Sequence, residues 1–457
     1  MAVDIVILAA GKGTRMRSRL PKVLHELAGK PLLGHVIDTA RRLNDSTLSV
    51  VVGHGAEQVR QRFPDSDIHW VEQGEQLGTG HAVLQALPHL RAEATTLVLY
   101  GDVPLIEAET LATLVELVRD DSLALLTVTL DRPAGYGRIL RNADGGVTGI
   151  VEEKDATPAE KLICEVNTGV MAVPAGKMAA WLPAIGNSNA QGEYYLTDLI
   201  AIAHGEGLTV ATHQPASAEE TEGVNSRAQL QMLERYFQRC MATRLMDSGV
   251  TLADADRFDC RGQLSAGEDC FIDVNTVFEG TVVLGTGVRI GPNCLIRNAT
   301  IGDGATIKAN TVIEGPVTLG AGVEAGPFAR LRPGTVLHEG ARIGNFVEIK
   351  KADIGTGSKV NHLSYIGDAV IGSGVNVGAG TITCNYDGVN KFTTTLHDGA
   401  FIGSNTSLVA PVTVGVGATV GAGSTVTRDV PAGELTVARG KQRNITGWQR
   451  PVKQQKD

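Results

Sequence analysis

From Leu284 to Val426 an aliphatic residue returns every six positions, at Ile301, Ile307, Ile313, Leu319, Leu331, Leu337, Ile343 and Ile349 among others. A period of six matches neither the 3.6 of a helix nor the 2 of an ordinary strand. It predicts hexapeptide coils, in which three short strands make one turn of a parallel β-helix with one aliphatic per strand pointing inward. A small or Gly residue follows many of these aliphatics, as in Ile290-Gly291, Ile301-Gly302 and Ile343-Gly344, and lets the chain turn at each corner. Steps of five replace six between Ile296 and Ile301, Ile349 and Ile354, and Ile366 and Ile371. A longer break lies between Ile382 and Phe401, and the rhythm resumes at Ile402, Leu408, Val414, Val420 and Val426. That break predicts a loop leaving the prism. It is either a neutral insertion or a place where the scaffold gives way to chemistry.

The first half carries a different pattern. Val3 to Ala10 is a continuous apolar run, and further runs lie at Leu48 to Val52, Leu97 to Tyr100 and Leu123 to Leu130. Helical spacing separates them, at His81 to Leu87 and Ala108 to Val118. Strands alternating with helices predict an α/β domain with a mostly parallel sheet, whose ligands bind at the carboxyl ends of the strands. Between the halves, Leu230, Leu233, Phe237, Met241 and Leu245 share one face at helical spacing, which predicts a connecting helix.

Composition sets the boundary and excludes some partners. Of the 55 glycines, 23 fall in residues 1 to 249 and 32 in the remaining 208, and 457 residues suffice for two cores. The expected organisation is a domain over residues 1–226, a linker helix over 227–249 and a β-helix with its tail over 250–457. A net charge of −9 argues against nucleic acid as the main partner. The six cysteines form no C-x-x-C pair, so they read as small hydrophobes rather than as a zinc or redox motif. No signal-peptide pattern and no membrane-length apolar run is present, so a cytoplasmic chain with no membrane partner is expected.

The loop Gly11-Lys12-Gly13-Thr14-Arg15-Met16 follows the first apolar run. It lacks the upstream glycine of a Walker A loop, and Met16 stands where a Rossmann fingerprint needs its third glycine. What remains is either an ordinary basic turn or a glycine loop whose N–H groups approach an anion, with Lys12, Arg15 and Lys22 supplying charge.

The surrounding residues favour the second reading. Leu8 to Met16 with Pro21-Lys22-Val23-Leu24, then Gln73 and Leu77-Gly78-Thr79-Gly80-His81-Ala82, then Tyr100-Gly101-Asp102-Val103-Pro104-Leu105, resemble in order the signature of nucleotidyltransferases that make nucleotide-sugars. With the hexapeptide half attached, the chain resembles over essentially its whole length the bacterial bifunctional family that joins N-acetylglucosamine-1-phosphate uridyltransferase to glucosamine-1-phosphate acetyltransferase. The resemblance implies a Rossmann-like α/β nucleotidyltransferase domain followed by a left-handed parallel β-helix.

For the first half the resemblance implies that Leu8, Ala10, Gly11, Gln73, Gly78 and Thr79, with Tyr100, Gly101 and Asp102, hold the uridine nucleotide. Arg15 and Lys22 would be the catalytic cations. Gly137, Glu152 and Asn167 would hold the amino-sugar, and Asp102 and Asn225 would ligate Mg²⁺, a hard cation that needs few protein oxygens when phosphate and water complete its shell. In the residues alone, Asp102 also reads as a loop cap and Asn225 as a helix cap. The implied reaction is in-line attack of a sugar 1-phosphate on UTP, where two anions must meet; cations and a metal serve that better than a covalent nucleophile.

In the second half the same resemblance makes His362 the base for acetyl transfer, a role suited to an imidazole that titrates near neutral pH. A surface histidine is the alternative, and His338, His362 and His397 lie too far apart in sequence for a zinc motif. Arg332, Lys350, Tyr365, Asn376 and Lys391 would bind glucosamine 1-phosphate. Ala379, Asn385, Tyr386, Ser404, Ala422, Arg439 and Trp448 would line the acetyl-CoA channel. The family is trimeric, with this site formed between prisms, so a homotrimer is expected. The competing expectation keeps the β-helix as an assembly scaffold, or gives it another acyl donor.

Overall fold

The computed structural model describes residues 2–451, which form two compact units that divide between Arg239 and Cys240. The division falls inside the helix Arg227–Asp247. No helix among the described residues is long and apolar enough to cross a membrane.

The strands of the first unit are β1 (Val3–Leu8), the short hairpin β2 (Glu26–Leu27) and β3 (Lys30–Pro31), β4 (Ser46–Val52), β5 (Ile68–Glu72), β6 (Thr95–Tyr100), β7 (Ser122–Thr129), β8 (Arg138–Arg141), β9 (Val147–Val151), β10 (Glu165–Val173) and β11 (Thr209–His213). The main sheet runs β11-β7-β10-β6-β1-β4-β5, with the antiparallel β8–β9 hairpin attached through β10. All six residues of β1 are buried because helices cover both faces of the sheet. Ile5 and Ile7 pack on one side with Val36 and Ile37, and Val6 and Leu8 on the other with Val83 and Leu199. From β1 the chain moves outward to β4 and β5, then crosses back to β6 on the opposite side of β1. That reversal opens a crevice at the carboxyl ends of β1 and β6.

The second unit is built of short parallel strands in an 11-stranded and a 13-stranded sheet. It is the left-handed hexapeptide β-helix that the six-residue period implies. Ile290, Ile307, Ala325, Ile343, Val360 and Val377 stack coil on coil in one inward column, and Ile296, Ile313, Leu331, Ile349 and Ile366 in a second. A third holds Ile301, Leu319, Leu337, Ile354 and Ile371. The five-residue steps coincide with Asn298, Lys351 and Asp368, whose φ values of 47°, 46° and 47° turn the corner with one residue fewer. At the long break the inward place is taken by Thr383, whose hydroxyl bonds Gly367 N–H (2.7 Å) and carbonyl (3.0 Å), while Ile382 points out. The excursion after it folds back on itself through a Tyr386–Lys391 bridge, with the Asp387 carboxylate accepting from Val389 and Asn390 N–H at 2.8 and 2.6 Å.

The helix Arg227–Asp247 presents its apolar face as the spacing predicts. Leu230, Leu233 and Phe237 pack in the first unit's core, and Met241 and Leu245 in the second's. Cys260, Cys270 and Cys294 are buried; Cys164 is exposed, and Cys240 and Cys384 lie between; all six are free thiols.

Candidate active sites

The crevice of the first unit holds a cavity of about 410 Å³ lined by Leu8, Ala10, Gly11, Lys22, Gln73, Gly78, Thr79, Tyr100, Asp102 and Asn225. Each arrives from the end of an element. The Gly101 N–H donates to the Leu8 carbonyl at 2.9 Å, which joins the ends of β1 and β6, and Gln73 follows β5 with its N–H on Val52 (2.8 Å). The Gln73 amide nitrogen is engaged by the Gly78 carbonyl and the His81 ring, both at 3.1 Å, which leaves its oxygen to a ligand. Gly78 is required by geometry, because its φ is +117° and a Cβ there would stand 2.6 Å from the Tyr194 carbonyl oxygen.

A second cavity of about 260 Å³ shares Tyr100, Asp102 and Asn225 and adds Arg15, Gly135 and Tyr136. The three sugar-assigned residues form a group of their own. The Asn167 N–H donates to the Gly137 carbonyl at 2.9 Å, and a Cβ on Gly137 would lie 3.3 Å from the Glu152 carboxylate. Burial raises the Glu152 carboxyl above the usual carboxylate range, although Thr197 donates to it at 3.2 Å. Burial likewise raises the phenols of Tyr100 and Tyr136, so both stay neutral donors. Lys12 is exposed and lines neither cavity.

Asp102 and Asn225, 123 residues apart, meet at Lys22. The Lys22 ammonium contacts the Asp102 carboxylate and lies 3.1 Å from the Asn225 side-chain oxygen, and the Val224 N–H donates to the Asp102 carbonyl at 2.8 Å. Two oxygens that converge on one positive charge suit a divalent cation, which would take its remaining ligands from phosphate and water. This donor set therefore fits the divalent metal that nucleotidyltransfer calls for. Gln76, whose amide donates to the Ala10 carbonyl, and Tyr136 are cavity residues that sequence reasoning missed. Tyr136 directly precedes Gly137 in Gly135-Tyr136-Gly137-Arg138, and that adjacency is its only signal in the sequence; Gln76 has none beyond its proximity to Gln73.

On the β-helix, register stacks Arg332 over Lys350, because Leu331 pairs Ile349 and Lys350 pairs Gly367. The Lys350 ammonium lies against Lys391 from the excursion and lowers its pKa, an arrangement that an anion would relieve. Glu348 accepts from Arg332 at 2.7 Å, and the Tyr365 ring covers Gly367, beside the Asn385 amide that Asp368 holds. Asn376 stands apart on the other sheet, in register with Lys359.

His362 is exposed, and its Nδ1 lies 2.8 Å from the Asn345 side-chain oxygen one coil below. With that oxygen as acceptor the proton sits on Nδ1, and Nε2 keeps a lone pair for a substrate amine. Asn345 was not legible as a partner, since only the coil register brings it beside His362. Ala379, Ser404 and Ala422 occupy the same corner on successive coils, with the Asn405 N–H on the Ala379 carbonyl and the Gly423 N–H on the Ser404 carbonyl, each at 2.8 Å. The Arg439 guanidinium reaches the Ala422 carbonyl at 2.5 Å and extends the column. Tyr386 lies exposed in the excursion, and Trp448 is 66% exposed in the irregular tail.

Comparison with known proteins covers both units. The family profile of the MobA-like NTP transferase domain matches residues 5–158. The bifunctional protein GlmU of Cellvibrio japonicus (strain Ueda107) is 63% identical over 451 residues, 99% of each chain. That of Marinobacter nauticus is 62% identical over 451 residues, again 99% of each. The Stutzerimonas stutzeri protein is 61% identical over 453 residues, 99% of this chain and 100% of that one.

Proposed function

The chain belongs to the family of bifunctional GlmU proteins, and from that premise we propose how its residues divide two reactions. It is a bifunctional enzyme of UDP-N-acetylglucosamine synthesis, with small-molecule substrates. Acetyl-CoA acetylates glucosamine 1-phosphate, and UTP then converts the N-acetyl sugar phosphate to the nucleotide-sugar with release of pyrophosphate.

For uridylyl transfer, Leu8, Ala10, Gly11, Gln73, Gly78 and Thr79 hold the nucleotide. Gly137, Glu152 and Asn167 hold the sugar, and Arg15 and Lys22 neutralise the meeting phosphates. The observation that carries this reading is the convergence of Asp102 and Asn225 on one cationic point at the edge shared by both cavities. Mg²⁺ is the cation we assign there; when bound it supplies charge neutralisation on the phosphates. Lys22 then orients on phosphate oxygens, and Arg15 balances charge from the neighbouring cavity.

For acetyl transfer, His362 accepts a proton from the sugar amine through Nε2, and Asn345 fixes its tautomer. Arg332, Lys350 and Lys391 with Tyr365 hold the sugar phosphate. The column Ala379, Ser404, Ala422 and Arg439, with Asn385, Tyr386 and Trp448, takes acetyl-CoA. Asn376 lies on a different face from Lys350, which supports a site shared between copies and hence a homotrimer. The exposed stacked pair Phe328 and Phe346, with ring centroids 5.2 Å apart, supplies apolar surface for such an assembly. The domain limits we assign are 1–226, 227–249 and 250–457. Six free thiols support a reducing, cytoplasmic setting.

The test is one reaction mixture: purified protein, glucosamine 1-phosphate, acetyl-CoA, UTP and Mg²⁺, followed for free thiol and for pyrophosphate. Thiol release should precede pyrophosphate, and omission of acetyl-CoA should suppress both. Pyrophosphate without thiol would reduce the β-helix to a scaffold.

A further inference from the structure

Arg138 opens β8 directly after Gly137 and is 1% exposed, yet neither reaction uses it. Its guanidinium binds three separate segments. It donates to the Tyr136 carbonyl, to the Glu153 carboxylate at 2.7 Å and to the Lys161 carbonyl at 3.5 Å. Glu153 also accepts the Gly135 N–H at 3.3 Å. One cation thus ties the turn just before Gly137 to the residue just after Glu152.

The register explains what this tie controls. Arg138 pairs Val151 across the hairpin, so Gly137 and Glu152 are the next facing positions, and Arg138 also pairs Val166, the neighbour of Asn167. Successive residues of a strand point to opposite faces, which puts Arg138 behind the surface that Gly137 and Glu152 present. Stability alone does not account for it. A buried ion pair is often no better than apolar residues of the same volume, and the Arg138 Nε is left without a partner. What a guanidinium supplies is a rigid planar fork that spans several acceptors at fixed spacing.

We propose that Arg138, held by Glu153, is a positioning residue for the sugar-phosphate subsite: it sets the separation of Gly137 and Glu152 from behind without touching substrate. The inference rests on the assignment of Gly137, Glu152 and Asn167 to the sugar.

The experiment is steady-state uridylyl transfer by the full chain, with N-acetylglucosamine 1-phosphate and UTP varied separately. Glu153 is partly exposed, so Glu153→Gln removes one arm of the clamp without opening a buried cavity. It should raise KM for the sugar phosphate about three- to ten-fold and leave KM for UTP within two-fold, and Arg138→Met should raise it about ten- to a hundred-fold, the range expected for lost hydrogen bonds to charged groups. Arg138→Lys should recover only part, because an ammonium cannot span the three acceptors. Arg138→Met/Glu153→Gln should be no worse than Arg138→Met. If Arg138 variants do not fold, Glu153→Gln and Glu153→Ala decide the matter by the same KM split. Equal rises in both KM values, or wild-type kinetics with only a lowered melting temperature, overturn the proposal and leave a structural ion pair. Glu152→Ala separates the two levels: if it leaves the sugar KM unchanged, the subsite assignment fails and the proposal with it. If it raises that KM while the Glu153 and Arg138 variants do not, only the positioning role fails.

Discussion

Gly169→Ala puts a single methyl group between the backbone and the ring that both cavities of the first unit share. Gly169 lies in the irregular stretch of β10, with φ at +88°, and a Cβ there would stand 2.4, 2.7 and 2.8 Å from the Cε2, Cζ and Oη atoms of Tyr100. Two costs add. Holding a residue with a Cβ at positive φ costs about 1–2 kcal/mol, and forcing a methyl into an occupied site costs about 1–3 kcal/mol. The first unit should therefore lose about 2–5 kcal/mol, which for a unit of this size lowers its melting temperature by about 4–20 °C. The Tyr100 ring lines both cavities, so its displacement should lower uridylyl transfer while acetyl transfer is kept. Calorimetry of the full chain with both activities measured in parallel tests this, and Gly149→Ala serves as the control, since nothing lies within 4 Å of a Cβ there. A Gly169→Ala protein that melts within about 2 °C of wild type and transfers uridylyl normally would refute the reasoning, because shifts that small correspond to less than about 1 kcal/mol.

Asp102→Ala should lower uridylyl transfer at least about a hundred-fold by removing one of the two convergent oxygens, with acetyl transfer unchanged; near-normal Mg²⁺-dependent turnover would remove Asp102 from the metal site. His362→Ala should lower acetyl transfer about 10²- to 10⁴-fold at intact uridylyl transfer, and Asn345→Ala should lower it less by releasing the tautomer; a His362→Ala protein with wild-type acetylation kinetics would end the base assignment. Burial raises the Glu152 carboxyl in the folded protein, so the native state binds more protons than the unfolded chain, and wild-type stability falls as pH rises through the raised pKa. Glu152→Gln should accordingly gain stability over wild type above that pKa and match it below the ordinary carboxylate range, as denaturation at several pH values will measure. A fragment ending at Arg239 should fold and transfer uridylyl groups. One ending at Ser226 should be the less stable, because it loses Leu233 and the Glu234 carboxylate that accepts the Ala28 N–H at 2.7 Å.

The amino-acid sequence alone determined the two architectures. Burial leaves a local periodic record: every sixth residue fills the β-helix interior, and unbroken apolar runs mark strands covered on both faces. The strand pattern also put the glycine loop and Gly101-Asp102 at the ligand-binding ends of a parallel sheet, while the individual residues of the nucleotide crevice were legible only through the motifs that resemble the nucleotidyltransferase family. What no local pattern records is which distant residues meet. Lys22 finds Asn225 across 203 positions because the chain crosses the sheet and returns. Asn345 finds His362 because a coil happens to take 17 residues there, and Thr383 replaces Ile382 in the interior because a hydroxyl can bond Gly367 where the excursion leaves. The Arg138 clamp is the extreme case. A cation in sequence reads as surface, and only the folded hairpin, by supplying three acceptors in a water-poor place, makes its burial tolerable.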